Sequence, residues 1–166
     1  MCGVSFYFSK NRSCETELQS SLDVIRHRGP DTSNVYCKKY LFGSVGLGHN
    51  RLSIIDLSPL GEQPLTRGNF TVSFNGEIYN YREIKKRLID KGYKFKSTTD
   101  TEVIVNAYAE FGINCFCMLK GMFTFVLLDE TLNKVYLVRD SIGIKPLYLY
   151  QNENSLYASS EIRGLK

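Results

Sequence analysis

The chain opens MCGVSF, and the cysteine at position 2 is the first residue whose placement suggests chemistry. Chain ends fray, so residue 2 is a poor place for a core cysteine. It is a good place for a nucleophile if Met1 is cut away, and Cys2 is small enough for that removal to be expected. The product carries a thiol and a free α-amine on neighbouring atoms. A thiol is only slightly ionised at neutral pH and needs a base. An α-amine, with an ordinary pKa of about 7.7–8.0, can take that proton directly or through water. His49 is the competing base, through a Cys–His pair.

Three loops combine polar residues with turn chemistry. In HRGPD, His27 to Asp31, Gly29 and Pro30 read as a helix stop, which leaves Arg26, Arg28 and Asp31 unexplained. In GHNRLSIIDL, Gly48 to Leu57, Arg51 lies in a stretch that otherwise reads as a buried strand. A buried charge needs a partner. In FNGEIYN, Phe74 to Asn80, Asn75-Gly76 would ordinarily make a hairpin turn. Glu77 and a helix cap follow instead, which is poor hairpin continuation. Asp100, in Thr99-Asp100-Thr101-Glu102, is first of all a carboxylate favoured by the dipole of a helix start.

The elements that must hold these residues are a mixture of strands and helices. Val4–Phe8, Val35–Lys39, Val45–Ile55, Phe70–Asn75, Phe123–Asp129, Lys134–Arg139, Leu147–Tyr150 and Leu156–Ser159 read as strands, rich in Val, Ile, Phe and Tyr and punctuated by Gly, Asn and Asp. The continuous apolar run FTFVLL suits a sheet covered on both faces. A first helix carries the stripe Leu18, Leu22 and Ile25. A second, capped by Asn80 with Glu83 in its first turn, carries Ile84, Leu88 and Ile89. A third opens on the capping box from Thr99 to Glu102 and turns Val103, Ile104, Ala107, Tyr108 and Phe111 inward. Strand–strand junctions outnumber strand–helix–strand alternations, so antiparallel sheets covered by helices are expected. GSVGLGH lacks the dinucleotide-binding spacing and opens no helix.

Composition narrows the classes. The chain has 166 residues, 43% hydrophobic, with a formal net charge of +4; one ordinary globular domain is expected. The basic residues between Arg82 and Lys96 read as the solvated face of a helix and its exit, not as a nucleic-acid patch. Five cysteines with no C-x-x-C pair and two histidines argue against a disulfide framework and a structural zinc site. Cys115 and Cys117 read as packing in a short helix. The longest N-terminal apolar stretch, Val4 to Phe8, is too short for a signal sequence or a membrane span, and no basic segment precedes it. A reduced, cytoplasmic protein without membrane or nucleic-acid partners is the expectation.

In order, MCGV, HRGPD, GHNRLSIIDLSPLGEQPL, FNGEIYNY, TTDTEVI, GMFTFVLLD, VRDSIGIKPLY and ASSEIRGL resemble the glutaminase domain of glutamine-hydrolysing asparagine synthetases. These are class II glutamine amidotransferases of the N-terminal-nucleophile (Ntn) hydrolase superfamily. The resemblance spans essentially the whole chain and implies an α+β fold, a four-layer αββα sandwich of two mainly antiparallel sheets between helical layers. It implies that Cys2 attacks L-glutamine to give a thioester, with the Asn75 side-chain amide and the Gly76 N–H forming the oxyanion hole. Arg51 is then expected to bind the substrate α-carboxylate through its planar fork. Asp100, helped by Glu77, is expected to hold the α-ammonium, and the backbone from Leu52 through Ile54 and Ile55 to shape the pocket.

No cofactor or metal is implied for this domain. ATP and Mg belong to the synthetase domain that follows in the family, whose pyrophosphate loop does not occur here. Residues 1–166 are therefore expected to be an excised glutaminase domain. The implied partners are L-glutamine and that C-terminal synthetase domain, with room for a homodimer of the full-length enzyme. Phe6, Asn50 and Ser141 depart from the family pattern. They leave open an acceptor other than aspartate, such as a sugar carboxylate, and a silent glutamine-sensing or structural module remains the alternative from another class.

Overall fold

The structure is a computed structural model that describes residues 1–53 and 58–165. In chain order its regular elements are β1 (Gly3–Ser9), α1 (Glu15–Val24), β2 (Thr32–Tyr40), β3 (Gly43–Arg51), β4 (Leu65–Arg67), β5 (Phe70–Ile78), α2 (Tyr81–Asp90), α3 (Asp100–Phe111), β6 (Gly121–Asp129), β7 (Lys134–Arg139), β8 (Tyr148–Gln151) and β9 (Ser155–Ser159). Short 3₁₀ turns fill several of the junctions, among them Arg26–Arg28 and Gly112–Met118.

The strands form two sheets, ordered β2-β3-β1-β9-β8 and β4-β5-β6-β7. Every pairing is antiparallel. Strand alternation then assigns the layers. From β1, Val4 and Phe6 point into a core shared with Val45, Leu47, Val126 and Leu128, between the sheets. Tyr7 points the other way, under Cys14 and Leu18 at the start of α1. The run FTFVLL divides likewise. Val126 and Leu128 enter the inter-sheet core, whereas Phe123, Phe125 and Leu127 face Val103, Ile104 and Ala107 of α3. Both faces of that strand are covered, so no polar alternation is needed. The result is an αββα sandwich.

Polar groups also cross between the sheets. Ser73 Oγ donates to the Gly48 carbonyl at 2.8 Å, and His49 Nε2 donates to the Phe74 carbonyl at 3.0 Å. These bonds tie β3 to β5, the two strands that deliver Arg51 and Asn75.

The structure corrects several local readings. Ile89 is 52% exposed, so the inner face of α2 rests on Ile84 and Leu88. Asn80 occupies the cap position of α2, but its side chain makes no cap bond. It donates instead to the Met118 carbonyl and accepts from Lys120 N–H, both at 2.9 Å, fastening the turn before β6. At α3 the capping box is half realised. Thr99 Oγ1 accepts from Glu102 N–H at 3.4 Å, while the Glu102 carboxylate accepts from Lys96 and Ser97 and pairs with Arg67 at 2.9 Å.

Candidate active site

One cavity of about 300 Å³ lies at the end of the sandwich where β1 begins and β3 finishes. Cys2, Arg51, Leu52, Asn75, Gly76, Glu77 and Asp100 all line it. These residues come from four separate parts of the sequence. Ile54 and Ile55 lie outside the described residues.

Cys2 is fixed from three sides. Arg28 Nε donates to its carbonyl at 3.0 Å, and the same guanidinium pairs with Glu161 at 3.1 Å. Just beyond, Val4 and Ser160 exchange two bonds at 2.9 Å, from Val4 N–H to Ser160 Oγ and from Ser160 N–H to the Val4 carbonyl. Leu52 N–H donates to Cys2 Sγ at 3.4 Å, and the thiol faces the Leu52 carbonyl at 3.7 Å. Burial pushes the Cys2 thiol up. The Leu52 N–H, the terminal ammonium on Met1 and the guanidinium groups of Arg51 and Arg28 pull it down, with burial prevailing.

HRGPD, half explained by the sequence, is the brace of this corner. Gly29 is not in a left-handed cap conformation. A Cβ there would lie 2.4 Å from the Asn50 carbonyl oxygen, so glycine is required by the close passage of the turn over β3. Asp31 N–H donates to the Arg51 carbonyl at 3.1 Å and its carboxylate accepts from Ser53 N–H at 2.7 Å. Arg28 and Asp31 thus hold the backbones of Cys2 and of residues 51–53 in one frame.

Arg51 ends β3 with its side chain buried. Its Nη1 donates to the Ser58 carbonyl at 3.1 Å. A Cβ on Gly61 would come within 2.5 Å of its Nη2 atom, so the glycine makes room for the guanidinium. Asp100 is the first residue of α3 and accepts from Ile78 N–H at 3.0 Å. Burial pushes its carboxyl up to about 6, and the nearby charge of Glu77 adds to that; the N–H groups of Ile78, Asp100 and Thr101 pull the other way.

Asn75 and Gly76 lie within β5, paired with Thr124 and Phe123. Asn-Gly is therefore no turn, and the strand runs three residues further than its apolar pattern. Gly76 has φ of +152°, and a Cβ there would stand 2.2 Å from the Met122 carbonyl oxygen. Both facts demand glycine. Asn75 is buried, and its Nδ2 has no hydrogen-bond partner among the described residues. A buried donor without an acceptor is costly, and here it belongs to a residue lining the cavity.

His49 lies elsewhere. Its ring is fully buried between the sheets, does not line the cavity, and is pushed down to about 4 by burial. The cavity also holds residues to which the sequence reading gave no role. Gln63 accepts from Phe74 N–H at 2.7 Å and donates to Thr101 Oγ1 at 3.2 Å, steadying β5 beside Asn75. Lys145 lines the wall, with its ammonium 3.4 Å from the Met1 sulfur, and Met1 itself lies in the cavity. GEQPL and GIKPLY contain Gln63 and Lys145, but nothing in their spacing assigns either residue to the site.

Comparison with known proteins adds a family to this geometry. A family model described as a glutamine amidotransferase domain matches residues 1–166. Over 99% of its length the chain is 37% identical to "Amidase chry2" of Gibberella zeae, 34% identical to a putative asparagine synthetase [glutamine-hydrolyzing] of Methanocaldococcus jannaschii, and 39% identical to asparagine synthetase [glutamine-hydrolyzing] 1 of Arabidopsis thaliana. It spans 26%, 35% and 28% of those proteins. The solved glutamine phosphoribosylpyrophosphate amidotransferase of B. subtilis superposes with a TM-score of 0.85 over 99% of this chain and 43% of its own, at 20% identity. That likeness bears on the fold alone, the αββα sandwich described above. No helix among the described residues is long and apolar enough to cross a membrane.

Proposed function

This chain belongs to the glutamine amidotransferase domain family, and from that premise we propose that residues 1–166 form a glutaminase domain that hydrolyses L-glutamine to L-glutamate and ammonia through a Cys2 thioester. One observation carries the reading. A single cavity brings together a thiol, a buried amide donor with no partner among the described residues, and a guanidinium and a carboxylate suited to the two charges of an amino acid.

In the proposed sequence, removal of Met1 frees the Cys2 α-amine, which takes the thiol proton. Sγ attacks the side-chain amide carbon of glutamine. The negative charge that develops on the oxygen is met by Asn75 Nδ2–H and the Gly76 N–H. The amine returns the proton to the departing ammonia, and water hydrolyses the thioester through the same oxyanion hole. Arg51 takes the α-carboxylate, Asp100 with Glu77 takes the α-ammonium, and the Leu52 backbone forms one wall. No cofactor or metal enters this scheme. The ammonia is passed to an ATP-dependent synthetase portion elsewhere in the parent chain. An acceptor other than aspartate is the second reading, favoured by the amidase among the relatives.

The test is release of equimolar glutamate and ammonia by the Met1-free domain, with Cys2→Ala as the blank. Glutamine bound but never hydrolysed would instead mark a silent sensing module.

Two further outcomes follow from the binding residues. Arg51→Lys keeps the charge but loses the two-pronged fork, so KM for glutamine is expected to rise about 10–100-fold with a smaller change in kcat. Unchanged KM would remove Arg51 from the pocket assignment. Asp100 gives a pH signature. Only its ionised form attracts an ammonium, and burial holds that ionisation near 6. Glutamine affinity is therefore expected to be complete above about pH 7 and to fall about tenfold per unit below about pH 6. Asp100→Asn should weaken binding at neutral pH and flatten this profile. A KM that ignores pH in the unaltered domain would sink the assignment.

A further inference from the structure

At the opposite end of β1 and β3, about 20–25 Å of strand from Cys2, a second cleft of about 420 Å³ is lined by Lys10, Arg12, Lys38 and Lys39, with Cys14 and Cys37 among its walls. We propose that Cys14 and Cys37 form a redox-modification site, a reversible disulfide made by exchange with an anionic low-molecular-weight disulfide of the glutathione type.

The geometry places the two sulfurs together. Cys37 on β2 faces Gly46 on β3 across the antiparallel ladder, so both residues point to the same face of the sheet. Cys14, just before α1, lies directly over that glycine. A Cβ built on Gly46 would stand 3.1 Å from Cys14 Sγ and 3.0 Å from its Cβ. Cys14 Sγ donates to the Val45 carbonyl at 3.3 Å, and the nearness of the two thiols draws that of Cys14 below its ordinary value and raises that of Cys37. Cys14 is buried and Cys37 exposed, so a reagent reaches one sulfur and the other waits behind it. Charge selects the reagent. Arg12 pairs with Glu17 and Lys38 with Glu130, while Lys10 and Lys39 meet no acidic group in the lining of the cleft.

The exchange balances in two steps. Cys37, giving up its proton to water as it reacts, attacks one sulfur of the small disulfide and expels the first thiolate. Cys14 Sγ then attacks Cys37 Sγ, breaking the mixed disulfide and expelling the second. Two protein thiols are oxidised, one disulfide is reduced to two thiols, and the two protons go to the departing thiolates. The product ties the start of α1 to the edge strand β2.

The experiment uses the whole 166-residue chain and oxidised glutathione. After incubation, non-reducing peptide mapping should yield a Cys14–Cys37 linked peptide, reversed by dithiothreitol. In Cys14→Ser the reaction should stop halfway, with a glutathionyl adduct accumulating on Cys37 that the unaltered protein does not retain. The oxidised chain should melt about 5–10 °C higher, since the bond closes a loop in the unfolded chain. A persistent Cys37 adduct in the unaltered chain would overturn the proposal. So would cross-linking that favours Cys115 and Cys117, or a melting temperature that fails to rise.

Discussion

Domain prepared with Met1 retained is expected to hydrolyse glutamine about 10²–10⁴-fold more slowly than the same domain beginning at Cys2, the span usually attributed to a general base. Two physical obstacles act together. With Met1 attached, the nitrogen of Cys2 is a peptide amide and cannot accept a proton. Met1 also lies within the cavity, its sulfur against the Lys145 ammonium. In this state burial holds the Cys2 thiol above its ordinary range, so little thiolate is present to attack. Removing Met1 opens the cavity and puts an amine next to the sulfur. The rate should then rise with pH through about 7.7–8.0, as that amine loses its proton. Both forms, verified by intact mass, should melt alike, because neither obstacle involves the core. Equal turnover with Met1 in place would mean that another group is the base. His49 is badly placed for it, buried on the Phe74 carbonyl outside the cavity. Lys145 would be the next group to test.

The strands and their helical cover were legible in apolar runs and turn residues, whereas the four-layer order was implied by the family resemblance. FTFVLL announced a doubly covered strand, and it divides between two cores as such a run must. The three-residue strand β4 escaped notice because three residues carry no period. The exposure of Ile89 could not be read from the stripe of α2, since a helix with Ile84 and Leu88 buried can pack against α3 without a third contact. β5 outran its apolar pattern for a different reason. Asn75, Gly76 and Glu77 line the cavity rather than the core, so their polar and small side chains interrupt the strand signal there.

The site was legible in its reactive groups and opaque in its supports. Cys2, Arg51, Asn75, Gly76, Glu77 and Asp100 were nominated from motif and resemblance, and one cavity gathers them all. Arg28 and Gln63 were not nominated because their work is long-range. Arg28 reaches back 26 residues to the Cys2 carbonyl, and Gln63 bridges β5 to α3. Local spacing carries no trace of such contacts. The physical reason for Gly76 also changed. Its φ and the approach of the Met122 carbonyl require it, before any substrate is considered. Cys14 and Cys37 are the same lesson for cysteines. Spacing of 23 positions says nothing, and only the ladder register with Gly46 brings the two together.

Asn75→Ala is expected to lower kcat for glutamine about 10²–10³-fold, the usual cost of one oxyanion donor, with a smaller change in KM. The structure adds a second readout of opposite sign. Among the described residues Asn75 Nδ2 is a buried donor with no acceptor, so the free domain bears a desolvation cost there that alanine removes. The variant should therefore fold at least as stably as the unaltered domain while losing most of its turnover. A residue that merely supported β5 would behave otherwise, since its loss would lower stability and activity together. Thermal melting and steady-state kinetics on the Met1-free domain separate the two cases. Intact turnover with weakened binding would assign Asn75 to substrate recognition. A loss of activity that tracks a loss of stability would make it a structural residue, and the oxyanion hole would then have to be sought among other donors lining the cavity.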